Sequence, residues 1–158
     1  MKRIRLVMLA LLPAAFVLFT TPSFSQGSVA PDGQFGIWAS TGGLGIAYAI
    51  SPSIQIGTGF GFVTGDNPTA ISVSPYVKFL FEGDVNPYII AGLGVASVEN
   101  SDTQTSLLAG FGLDYYINPS VGFFAHVTVL DVGLAPEGSA TNYGLSASGT
   151  AGVEWYLN

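Results

Sequence analysis

The chain holds one histidine, His126, with a hydroxyl two residues on at Thr128. That pairing invites a test for nucleophilic chemistry, in which a hydroxyl needs a base within hydrogen-bond reach and a third group to orient the base. No Ser, His and acid share one face of a period-two segment, so His126 reads as a hydrogen-bonding residue, and catalytic residues are not expected. Asp66-Asn67 and the 99–102 run with Glu99 and Asp102 are acidic but lack the alternating oxygen-ligand spacing of a calcium loop. They read as solvated loop tips, and neither a metal nor a cofactor is expected. Lys78, Asp114 and Glu154 carry more information. Lys78 shares its period-two face with Ser72, Ser74 and Tyr76, Asp114 with Gly110 and Gly112, and Glu154 with Ser146, Ser148 and Thr150.

These faces belong to elements of one kind. Residues 105–128 form two alternating runs that meet at Asn118-Pro119-Ser120, where Asn and Ser favour local turn bonds and Pro presets φ. A β-hairpin is predicted there. Leu107, Ala109, Phe111, Leu113, Tyr115 and Ile117 make one greasy face of its first arm, and Gly110, Gly112 and Asp114 lie on the other. The pattern recurs over 34–40, 44–50, 54–64, 70–81, 88–98, 104–117, 121–132 and 142–157. Helices are excluded by the density of Gly, which costs a helix about 1 kcal/mol per residue.

Composition says what the greasy faces meet. Of 158 residues, 49% are hydrophobic and 9% charged, against roughly a quarter charged in an ordinary soluble domain, and mean hydropathy is +0.51. Beyond the front of the chain, no apolar run is long enough to carry that excess, so it is spread by alternation. Lys2, Arg3 and Arg5 precede an apolar run over 6–19 and a small-residue site at Ser23 to Ser25, which predicts a cleaved signal peptide over 1–25. Pro13 and the short run argue against a spanning helix. Residues 26–33 are predicted to be a flexible lead, and 34–158 a single domain. After cleavage ten acids face one base, Lys78, for a charge of 1 − 10 = −9, which argues against nucleic acid as a partner. With no Cys there is no disulfide staple.

Tight or Pro-bearing turns at 51–53, 82–87 and 118–120 alternate with polar loops at 65–69, 99–103 and 133–141, the short 41–43 connection being the exception. An even strand number gathers both termini at the tight-turn end. Tyr48, Phe79, Phe81, Tyr88, Tyr115, Phe123 and Trp155 lie near that end, and Trp38, Phe60, Phe62 and Tyr143 near the other, as two aromatic girdles would.

The segments 86–94 (Asn-Pro-Tyr-Ile-Ile-Ala-Gly-Leu-Gly) and 112–120 (Gly-Leu-Asp-Tyr-Tyr-Ile-Asn-Pro-Ser) resemble the hairpins of small eight-stranded outer-membrane β-barrel proteins of the OmpA/OmpX type, within the porin-like superfamily. The resemblance covers 34–158. It implies an all-β, eight-stranded antiparallel up-and-down transmembrane β-barrel in the bacterial outer membrane, with lipid and the assembly machinery as partners and a monomeric state. Such barrels usually end in an aromatic residue that the machinery reads. Here Ala151, Val153, Trp155 and Leu157 place the apolar alternation one residue inward of Asn158. Barrel-surface lipid A deacylases carry a His and a Ser two residues later. Thr128 replaces that Ser, and the parity of Phe123, Ala125 and Val127 turns His126 inward.

Closure follows from the solvent, because every backbone polar group in hydrocarbon needs an internal partner. The Gly residues at 57, 59, 61, 92, 94, 110 and 112 then line a narrow interior beside Tyr76 and His126. Lys78 is expected to bond Asp114, Glu154 or both, since an unpaired buried ion is expensive. The expected role is structural or surface-interacting, without catalysis. Alternatives are a narrow channel for small solutes, a secreted soluble β-sandwich with adhesive function and, more remotely, a barrel-surface lipid hydrolase.

Overall fold

The structure is a computed structural model that describes residues 30–64, 69–136, 141–143 and 149–157. The expected signal peptide, the first half of the lead, Asp66-Asn67, Ser146, Ser148, Asn158 and the side chain of Tyr143 lie outside those residues. The described strands are β1 (Gln34–Ser40), β2 (Gly43–Ser51), β3 (Ile54–Val63), β4 (Ala70–Leu80), β5 (Asn86–Val98), β6 (Gln104–Asn118), β7 (Val121–Ala135), β8 (Thr141–Tyr143) and β9 (Gly149–Leu157).

Each strand pairs antiparallel with its chain neighbour from β1 to β7. The short β8 pairs only with β7, and β9 pairs with both β7 and β1, closing the ring. β8 and β9 are thus two parts of the last stave, and the barrel has eight. The soluble sandwich is ruled out as the fold, because one sheet closes on itself. Turn chemistry agrees with the sequence. The Asn118 carboxamide accepts from the Ser120 N–H at 2.8 Å, and β1 joins β2 through Thr41-Gly42 alone, with Ser40 paired to Gly43. Gly43 has φ +136°, a conformation that L side chains rarely adopt.

Alternation sorts the side chains. Phe35, Ile46, Phe62, Ile89, Leu113, Ile117 and Leu157 are exposed on the outer wall, while Gln55, Lys78, Asp114 and Glu154 are buried within. Pro75 sits on the outward parity of β4, and the β4–β5 pairs Val73↔Val95 and Tyr76↔Gly92 flank it. Proline has no N–H to give a ladder.

Three sequence expectations change. Tyr88 belongs to no girdle; it is 1% exposed and points into the lumen, on the same parity as Gly92. Trp38 also turns inward, its ring 5.9 Å from that of Phe124 and 6.4 Å from that of Tyr76. Finally, β7 runs past the expected end at Val132. Ala109 pairs with Leu130 but Gly110 with Thr128, leaving Val129 as a bulge, and a second bulge falls at Leu134. An extra residue reverses which parity faces inward.

Candidate functional site

Lys78 on β4, Asp114 on β6 and Glu154 on β9 meet at the lumen's turn-side half. The Lys78 ammonium donates to Asp114 Oδ2 at 3.0 Å and Oδ1 at 3.3 Å, and to Glu154 Oε2 at 3.5 Å. All three side chains are at most 3% exposed. The strands bring them level because each stands a few residues from the turn-side end of its stave. At such burial, the mutual attraction must offset a desolvation cost of several kcal/mol per ion. Further bonds share that burden: Gln55 Nε2 donates to the Tyr116 hydroxyl at 2.8 Å, which donates to Asp114 Oδ2 at 3.3 Å. The ammonium also lies 4.6 Å from the Tyr88 ring centre and 5.0 Å from that of Phe124, within cation–π range.

Aromatic rings fill the rest of this half. Tyr88, Tyr116 and Tyr156 pack with Ala49 and Leu80, and each ring stands where a neighbouring strand carries Gly. A Cβ on Gly36 would come within 2.9 Å of the Tyr156 ring, and one on Gly122 within 2.7 Å of the Tyr116 ring. Ala30 packs on the same cluster, and Pro31 is fully buried. Gly33, at φ +65°, donates its N–H to the Ala49 carbonyl at 2.8 Å and ties this stretch across the turn-side mouth.

His126 lies toward the other half, its Nδ1 3.1 Å from the Tyr88 hydroxyl and its ring stacked on Phe124 at 6.2 Å. Thr128 and Tyr76 line a cavity there with Trp38, Ser72, Ser74 and Thr150, and its volume is about 220 Å³. Lys78 and Glu154 form part of the lining. Glu154 Oε1 and Trp38 Nε1 are sealed from solvent, with the Tyr116 hydroxyl beside the Glu154 carboxylate and the Tyr76 hydroxyl beside the Trp38 indole.

Sequence reading missed Asp131. Straight parity sets it outward with Phe123 and Ala125, but the Val129 bulge pairs it with Leu108, on the lumen face. A charge on an otherwise apolar face was the one available sign.

Neither the protein-family models nor the curated proteins yield a match to this chain. Among solved structures, it is similar to the N-terminal β-barrel domain of Pseudomonas aeruginosa OprF, with a TM-score of 0.55 and 21% identity, over 84% of this chain and 100% of that one. The fold is therefore a closed, eight-stranded up-and-down barrel. At that identity the likeness carries the architecture and leaves the chemistry of the lumen to be argued from this chain's own residues.

Proposed function

We propose that the chain is an exported bacterial outer-membrane protein, a monomeric barrel that serves as a wall in the bilayer and presents short loops outside, with no catalysis. One observation carries the reading: the closed sheet turns Phe35, Ile46, Ile89, Leu113 and Leu157 outward and keeps Lys78, Asp114 and Glu154 inside. In water that arrangement exposes the wrong face, and in hydrocarbon it is the favoured one. Its contacts are then membrane lipid and, during insertion, the assembly machinery. Membrane extraction tests this. The protein should require detergent and shift its gel mobility on heating, and release into an aqueous wash would overturn the proposal.

The lumen supports a closed wall over a solute channel. Tyr88, Tyr116, Tyr156 and the ion network occupy the turn-side half, and Pro31 is buried at its mouth. The channel reading predicts stepwise conductance in planar bilayers, and the closed wall predicts none. The surface hydrolase is disfavoured by His126, which points inward to Tyr88 rather than out to lipid.

A further inference from the structure

The barrel wall is low at one place on the loop side. β1 and β2 end in the Thr41-Gly42 turn, while β3 runs on past Phe60, its last partner on β2, for three residues to Val63, about 10 Å of strand. On the other flank β9 continues above Ala151 with Thr150 and Gly149, and no described strand stands over the turn. Phe62 and its partner Ile71 are exposed beyond that level, so the apolar surface that meets lipid rises higher than the turn. The turn answers its own polar groups. The Thr41 N–H donates to the Ala151 carbonyl at 3.0 Å, the Gly42 N–H to the Ser40 hydroxyl at 3.1 Å, and the Ser40 hydroxyl to the Gly43 carbonyl at 3.3 Å. Internal partners of that kind are what hydrocarbon demands of a turn. The cavity lies directly behind this sill, for Ser40, Gly42, Gly61 and Thr150 all line it. A Cβ on Gly42 would have Ser40 and Thr150 side-chain atoms as its nearest neighbours, at 3.7 to 3.9 Å, so the rim is open.

We propose that the low wall is a lateral port, over which a lipid of the loop-side leaflet bends one acyl chain and lays its end in the cavity. The inference rests on the membrane reading above. At about 220 Å³, the cavity exceeds the roughly 150 Å³ that admits a benzene ring in an apolar core, so a chain end of about six carbons fits. Trp38, Leu108 and Phe124 offer it apolar contact, and Gly59 and Gly61 leave it room beside the backbone. Space without partner atoms forfeits dispersion along its lining, and the nearest apolar matter is the lipid beyond the sill. Lys78, Asp114 and Glu154 close the floor, so the port admits a chain end and passes nothing through.

The two tryptophans make the test direct, since Trp38 lines the cavity and Trp155 is exposed on the outer wall. Trp155→Phe and Trp38→Phe proteins are each folded into phosphatidylcholine vesicles whose acyl chains carry bromine, a contact quencher, and into the same lipid without bromine. Trp155, read in Trp38→Phe, should be quenched by the brominated chains because it faces the bilayer. Trp38, read in Trp155→Phe, should also lose most of its emission, although it stands inside the barrel. Gly42→Leu and Thr150→Leu, which narrow the port from its two sides without touching the ion network, should each restore Trp38 emission, while Trp155 quenching and the heat-dependent mobility shift remain. An unquenched Trp155 would sink the membrane reading and the port with it. Quenching of Trp155 with Trp38 untouched would overturn the port alone, as a lumen that holds only water predicts. Trp38 quenching of equal depth in both narrowed variants would also overturn it, since the bromine would then act through the wall.

Discussion

The two halves of this lumen are built from the same alternating strands and reach opposite ends. Toward the tight turns, Gly on one stave faces Tyr on the next, and Tyr88, Tyr116 and Tyr156 fill the space around an ion cluster bonded on several sides. Toward the loops, the Trp38 ring still covers Gly45 and Gly59, but Ser40, Gly61, Ser72 and Ser74 leave a cavity of about 220 Å³. Eight staves set the diameter, and side-chain volume then decides whether the space is solid or hollow. The difference teaches that packing is divided along the barrel axis: in the filled half, rings and ion pairs tie stave to stave, and in the hollow half the staves are joined chiefly by their backbone ladders.

Substitutions should separate the halves by size of effect, read from urea unfolding in detergent micelles. Lys78→Met strands two buried carboxylates and should cost about 3–5 kcal/mol. A loss no larger than that of Ser74→Ala would remove the ion cluster from the stabilising half. Gly112→Val comes next. Its Cβ would meet the Ala125 carbonyl and come within 2.5 Å of the Tyr88 ring, and the backbone contact cannot yield. A loss of about 1–3 kcal/mol is expected, with a visibly reduced folded band on unheated gels. Tyr116→Phe deletes the hydroxyl between Gln55 and Asp114 and should cost about 1–2 kcal/mol, reduced in a Gln55→Leu background where the bond is already gone. In the hollow half, a Cβ on Gly42 meets only Ser40 and Thr150 side-chain atoms at 3.7 to 3.9 Å. Gly42→Ala should therefore shift stability by less than about 0.5 kcal/mol, and a larger loss would show that the loop end is as tightly built as the turn end.

Much of the filled half is legible in the chain before any coordinates. The same-face neighbours of Lys78, Asp114 and Glu154 are small or polar, and each residue's distance from a turn sets its height, so their meeting follows from period and turn spacing. Tyr88 was open to the same parity argument, through Ile90, Gly92 and Gly94, but closeness to a turn suggested a girdle instead. Trp38 could be sorted likewise, by Gly36 and Ser40 on its own face. Asp131 could not, because a bulge is a mismatch between two strands and neither strand records it alone. Nor does Pro31 advertise its burial, which depends on the mouth formed by staves distant from it in the chain.

By itself, the order of residues determined the strand count, the sorting of greasy from small faces and the level of the three charges, since all of these repeat with the two-residue period of an extended chain. Only the closed structure decided that Tyr rings fill one end, that the other end stays hollow, and that Asp131 turns into the lumen. Those outcomes depend on which side chains meet across the lumen. That is fixed by stagger and closure of the whole ring, and no single strand carries it.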